Sequence, residues 1–243
     1  ESWVALQEDK KLVELMFDRP DRDRVLGDIF LGRVDAVLPG IQAAFVDIGT
    51  EKAGFLHVSD LNLDDEDDDE GNGNGRGRGR SRSRKLPPIQ DHLKKGQQIL
   101  VQVTKEPIST KGPRVTAQVS LPGRFLVYMP YASRVGISRK IEGRDQRSKL
   151  RKMAQQILPD DSGGIIVRTV GEEVTKEKLE HEFKRLHERW VEIQGRATSQ
   201  KAPSLVHREA TLISGVIRDL FSGKFEALRV DSKGAYDEIV DYV

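Results

Sequence analysis

Cysteine is absent from all 243 residues. That excludes a disulfide framework and any thiolate zinc site within the chain, and it makes a reducing cytoplasm the natural location. No run of eighteen apolar residues occurs, so no segment reads as a transmembrane helix. The first residues, ESWVALQEDKKL, lack the charged, apolar and small-residue series of a signal peptide. Net charge is also nearly missing: 40 Lys and Arg stand against 39 Asp and Glu, a formal balance of +1.

The neutral balance hides two opposed blocks. Residues 64–70 read DDEDDDE and residues 76–85 read RGRGRSRSRK, with Gly and Asn between them. Such composition buries too little apolar surface to offset its ordering entropy, so the stretch from Asn62 to about Pro88 is expected to be a disordered insertion. Its basic half suits nonspecific phosphate contacts that weaken with salt. The alternative is a solvated spacer whose acidic half neutralises the basic one. The stretch is a poor match to a calcium loop, because the ligand alternation is wrong and no acidic residue stands at the twelfth position.

What remains is long enough for one large or two small domains with real cores. From Val25 to Leu61 the pattern is that of short strands. Ile29, Leu31, Val34 and Val37 are spaced for a bent strand, Ala43 to Ile48 gives a second and Ala53 to Val58 a third, with turn chemistry at Pro39/Gly40 and Gly49/Thr50. Two more are expected at Ile99 to Lys105 and Arg114 to Ser120, joined by a turn holding Lys111 and Gly112. Five short strands in a partly closed barrel are the OB architecture, which binds oligonucleotides on its face and loops.

Phe45 and Phe55 each precede a small apolar residue on adjacent strands. Their spacing leaves two placements open: rings on the outer face beside His57, Lys105 and Lys111, where bases stack, or rings in the barrel core. His57 also suits a plain surface contact with a neighbouring loop, and the two lysines a solvated hairpin. In order, GRV, AFVDIG, GFLHVSDL and KKGQQILVQV resemble the RNA-binding S-one domain, the module repeated in the largest small-subunit ribosomal protein. That resemblance implies exposed, base-stacking rings and single-stranded RNA as partner.

Around the barrel, Trp3 to Leu6 and Lys11 to Phe17 alternate as a hairpin that Pro20 ends. LPGRFLVYMP enters a strand pair, and GISRKIEGRDQRSKLRKMAQQILPDD runs from a loop into a helix with Leu150, Met153 and Ile157 on one side. Ile165 to Val167 reads as a buried strand opening into a polar loop at Arg168 and Thr169. Leu179, Phe183, Leu186, Trp190 and Ile193 fall at helical spacing between about Thr175 and Gln194, a core stripe. A further helix is expected over Ser204 to Phe221, a strand over Ala227 to Val230 and a helix from Ala235. The chain stops inside that last element and reads as part of a longer protein.

The hairpin, the inserted barrel, SLPGRFLVYMP, GISRKIEG and the IIVRT loop, taken in series, resemble the N-terminal part of the bacterial ribonuclease E/G family over nearly the whole chain. The resemblance implies an α+β fold: an OB-type barrel over 25–120 inserted in a split RNase H-like subdomain (1–24 and 204–243), with a five-prime-end sensor subdomain over 121–203. The positions matching the family's sensor for a five-prime monophosphate are Gly123, Val127, Arg139, Arg168 and Thr169. An Arg fork and a Thr hydroxyl at a strand end suit a terminal phosphate, and a glycine permits close backbone approach. On spacing alone, Arg168 equally suits a surface pair with Glu172 or Glu173.

In that family catalysis belongs to a later domain, where carboxylates hold magnesium and a cysteine pair links protomers through zinc. Nothing in this chain matches that domain, so the resemblance implies a noncatalytic stretch whose longer parent carries magnesium, structural zinc and the homo-oligomer contacts. Glu14, Asp18 and Asp231 look like an RNase H metal cluster, but by resemblance the subdomain is structural. RNA-decay partners and a bacterial cytoplasmic location, with peripheral association at the inner membrane for the parent, are implied in the same way. Two other readings stand beside this one: a noncatalytic S-one RNA-binding protein, indifferent to the five-prime end, and a small complete nuclease with an RNase H site.

Overall fold

The computed structural model describes residues 1–18, 24–62, 87–209, 212–221 and 225–242. The expected insertion therefore lies almost wholly outside the described residues. In chain order the first elements are β1 (Ser2–Glu8), β2 (Lys11–Asp18), β3 (Ile29–Leu38), β4 (Ala43–Asp47) and β5 (Gly54–His57). A single helical turn, α1 (Ile89–His92), then leads into β6 (Gln98–Lys105), β7 (Arg114–Thr116), β8 (Leu121–Pro122), β9 (Leu126–Met129) and β10 (Val135–Ile137). The remaining elements are α2 (Arg144–Ile157), β11 (Gly164–Val167), α3 (Lys176–Ser199), β12 (Ser204–His207), α4 (Leu212–Asp219) and α5 (Lys233–Tyr242).

These elements sort into two compact units. One joins residues 29–119 to 193–206, and the other joins 1–28, 120–192 and 207–243.

The first unit is a barrel. Its sheet runs β12-β3-β4-β5-β7-β6, and an additional β3–β6 pairing closes five strands on themselves. Closure follows from β3 being long enough to serve two neighbours: Ile29 to Arg33 pair with β6, and Arg33 to Leu38 pair with β4, across a register shift at Val34/Ala36. Ile29, Val34, Val46, Leu56, Val101, Val103 and Val115 are buried inside. Each such side chain contributes about 1.5–3 kcal/mol through removal from water.

Gly112 is required where the β6–β7 connection returns, since a Cβ there would lie 2.1 Å from the carbonyl oxygen of Ala53. The same connection is tied down by Lys52, whose Nζ donates to the Ser109 carbonyl at 2.6 Å.

The second unit holds a four-stranded sheet, β10-β11-β9-β8, and the β1-β2 hairpin. Leu126, Tyr128, Ile165 and Val167 of the sheet, Leu150, Ala154 and Ile157 of α2, and Leu179, Phe183, Leu186 and Trp190 of α3 are all buried. Tyr128 stands edge-on to Phe183 at 5.5 Å, and its hydroxyl donates to the Ser162 carbonyl at 2.7 Å.

Three expectations change. Ser204–His207 is a strand, β12, and not the start of a helix, because Leu205 and Val206 add to the β3 edge directly after Pro203; the helix is confined to Leu212–Asp219. Residues 227–230 form no strand, having no sheet neighbour among the described residues. Gly136 and Ile137, read as loop, belong to a strand, Val135–Ile137, held in parallel register by β11. In each case the deciding term is the presence or absence of a neighbouring strand, which the local pattern does not contain.

Candidate nucleic-acid interface

The barrel strands align one row of side chains across four strands. Phe45 faces Phe55, Phe55 is level with Arg114, and Arg114 is paired with Lys105. Directly opposed residues share a sheet face, so the register produces a stripe of two rings, a guanidinium and an ammonium. Phe45 is 38% exposed and Phe55 half-buried; the rings meet edge to face, with centroids 6.0 Å apart. Of the two placements the spacing left open, the structure takes the outer face.

His57, two residues along from Phe55, lies at the end of the same strand. Its Nδ1 accepts from the Ser59 amide at 3.2 Å and lies 2.8 Å from the Ser59 hydroxyl, which fixes the ring over the turn. Lys111 is exposed at the tip of the β6–β7 connection, bridged by backbone hydrogen bonds to Ile108.

Sequence reasoning missed Arg114. Its Nη2 lies 2.9 Å from Asp60 Oδ2, an ion pair that holds the guanidinium in place. The pairing joins residues 54 positions apart, so no local signal announces it.

In the other unit, of the residues expected around a terminal phosphate, Gly123, Arg139, Arg168 and Thr169 lie at one end of the sheet and Val127 within strand β9. The Arg168 amide donates to the Phe125 carbonyl at 2.7 Å, and Nη1 donates to the Gly123 carbonyl at 2.7 Å. Nη2 meets Asp219 Oδ1 at 2.6 Å, so the arginine pairs with α4 and with neither Glu172 nor Glu173.

Thr169 is exposed, and its hydroxyl lies 3.0 Å from that of Ser138, beside the exposed Arg139. Val127 sits in register between Pro122 and Ile166 on the half-buried side of the sheet. The structure therefore brings Gly123 to Arg168, and Thr169 to the Ser138–Arg139 corner, with Val127 on a strand between them.

A carboxylate that sequence reasoning passed over organises this end. Glu182 of α3 is only 5% exposed. Its Oε1 accepts from the Arg124 amide at 2.6 Å, and its Oε2 accepts from the Phe125 and Leu126 amides at 2.8 and 3.0 Å. Gly123 is glycine for this reason, since a Cβ would stand 2.6 Å from Glu182 Cδ. Three amides converging on one buried charge fix the turn whose carbonyls hold Arg168.

Asp219 sits between two guanidiniums. Burial pushes its carboxyl up, but hydrogen bonds from Arg218 and Arg168 outweigh that and hold it below the usual carboxylate range. Arg218 in turn reaches Glu209 at 2.6 Å.

Among the described residues no group of three or more His, Cys, Asp or Glu side chains is placed to hold a metal ion, and the chain has no cysteine. Glu14, Asp18 and Asp231 form no such group. Among the described residues no helix is long and apolar enough to cross a membrane.

A closed five-stranded barrel of the oligonucleotide-binding type, set within an α+β chain, defines the class. The chain belongs to the ribonuclease E/G family, whose family model matches residues 120–243. It is 36% identical over 242 residues to "Ribonuclease G" of Haemophilus influenzae (strain ATCC 51907 / DSM 11121 / KW20 / Rd) and 35% identical over 242 residues to "Ribonuclease G" of Escherichia coli (strain K12). Both matches cover 100% of this chain and 48% of the relative. It is 40% identical over 215 residues to "Ribonuclease E" of Synechocystis sp. (strain ATCC 27184 / PCC 6803 / Kazusa), covering 88% of this chain and 29% of that protein. The chain thus spans about half the length, or less, of these curated relatives.

Proposed function

We propose that this chain is the RNA-binding and five-prime-end-sensing part of an endoribonuclease that cleaves single-stranded RNA in rRNA and tRNA processing and mRNA decay, the stretch itself being noncatalytic. The observation that carries the RNA reading is the row Phe45, Phe55, Arg114 and Lys105 on the outer barrel face. Rings in such a row stack unpaired bases without reading sequence, while the cations follow the phosphate backbone. His57 and Lys111 extend the same surface.

For end sensing, the support is the way Arg168 is held. Gly123 and Asp219 take one guanidinium nitrogen each, and the exposed Thr169 hydroxyl stands beside it in sequence. A terminal monophosphate carries the charge and acceptor geometry to exchange with Asp219, with Arg139 near the Ser138–Thr169 pair and Val127 offering an apolar seat. Hydrolysis, with the magnesium and the zinc-linked oligomer it needs, is assigned to parts of a longer protein, and no step is routed through these residues.

The test compares one short RNA bearing a five-prime phosphate with the same RNA bearing a hydroxyl, in the wild type and in Arg168→Ala. Wild type should prefer the phosphate and the variant should not. Equal affinities in all four combinations would remove end sensing and leave an S-one RNA-binding protein.

A further inference from the structure

We propose that the arginine face of α2 is a further binding site, for the phosphodiester backbone of single-stranded RNA downstream of its first nucleotide. The direction of the strand rests on the end-sensing reading; the site itself does not. Arg144, Arg147, Ser148 and Arg151 line an open depression on the surface of α2. Their spacing of three, four and seven residues puts them on one side of the helix, away from the buried Leu150, Ala154 and Ile157.

The arginines divide into one that builds and two that are available. Nη1 of Arg147 donates to the Ser138 carbonyl at 2.7 Å and contacts that of Ile141 at 3.3 Å, so it fixes the loop carrying Arg139 and Lys140. Arg144 and Arg151 are exposed and make no hydrogen bond or ion pair with the described residues. No structural return explains their placement. A cation in the first turn of a helix opposes the macrodipole, which favours carboxylates there, and the first turn holds only one acid, Asp145.

Two guanidinium forks without a partner among the described residues, about 10 Å apart along a helix, suit two phosphates of one extended strand with another phosphate between them. Ser148 lies between them and offers a neutral hydroxyl to a ribose 2′-OH, which favours RNA over other polyanions. The link to the end site is continuous: Arg147 holds the Ser138 carbonyl, and the Ser138 hydroxyl lies 3.0 Å from that of Thr169. A strand whose first phosphate sits at Arg168 and Thr169 crosses the 138–140 loop to reach α2.

The experiment measures affinity of the full chain for a ten-nucleotide RNA, with a five-prime hydroxyl or monophosphate, across a KCl series. It compares wild type, the double variant Arg144→Gln/Arg151→Gln and the charge-keeping Arg144→Lys/Arg151→Lys. In the Gln variant the slope of log K against log salt should fall by about 1.4, the loss of two single-strand phosphate contacts. Both RNAs should weaken by the same factor, the preference for the monophosphate should persist, and the Lys variant should keep the wild-type slope. Unchanged slope and affinity in the Gln variant would overturn the site. So would an unchanged RNA slope accompanied by lost binding to phosphatidylglycerol vesicles, which would make the face a membrane contact. A reduced slope with no monophosphate preference in any protein would refute end sensing alone and leave this site standing.

Discussion

Asp219 holds Arg168 at 2.6 Å, so the side chain proposed to grip a terminal phosphate is already paired with an anion from α4. The carboxylate sets the orientation of the guanidinium and competes for it. Asp219→Asn should therefore tighten binding of monophosphorylated RNA by about 0.2–1 kcal/mol, the range for a partly exposed pair. The hydroxyl RNA should be little affected, and titration of both RNAs checks it.

The same pair gives a pH dependence. Asp219 is held below the usual carboxylate range of about 3.9. Its contribution to stability is therefore complete above the unfolded-state value and is lost as pH falls through the depressed folded-state value. Urea melts of wild type and Asp219→Asn should differ most above about pH 5 and converge toward strong acid.

Glu182→Ala should be among the most destabilising single changes in its unit, because it strands three amide donors that now converge on a buried carboxylate. Each orphaned donor costs about 1–3 kcal/mol, so a loss of about 3 kcal/mol or more in urea denaturation is expected. Glu182→Gln keeps one acceptor oxygen and should lose less. In the proposed function, both variants should also reduce the monophosphate preference, because the turn they loosen carries the Gly123 carbonyl that holds Arg168.

Phe45→Ala and Phe55→Ala should each weaken single-stranded RNA binding by about 1–3 kcal/mol. Because the rings touch edge to face, the double variant should lose less than the sum of the single losses. Calorimetry over the four-protein cycle measures the coupling; full additivity would mean that the rings bind separate bases without supporting each other.

Gly112→Ala should destabilise the barrel by about 1–3 kcal/mol, the usual range for overpacking, since the added Cβ would strike the Ala53 carbonyl, a backbone atom that cannot rotate away. The denaturation midpoint should fall for the barrel.

The barrel and the α3 stripe were legible because their determinants are local. Alternation at Ile29–Leu31 and Ala43–Ile48, turn residues at Pro39/Gly40, and apolar positions from Leu179 to Ile193 specify strand or helix within a window of a dozen residues. Strand β12 was not legible, because Leu205 and Val206 carry no helix-excluding signal. What makes them a strand is the free edge of β3, some 170 positions earlier.

By itself, then, the sequence determined which residues are chemically suited to the proposed site: two rings, several cations, an arginine and a threonine at a strand end. Only the tertiary structure decided how they are held. Arg114 meets Asp60 across 54 positions, Glu182 clamps amides up to 58 positions away, and Asp219 pairs with Arg168 across 51. Such contacts depend on how sheets close and helices pack, and a charged side chain's choice among many nearby partners is settled by distance and burial, which no local pattern encodes.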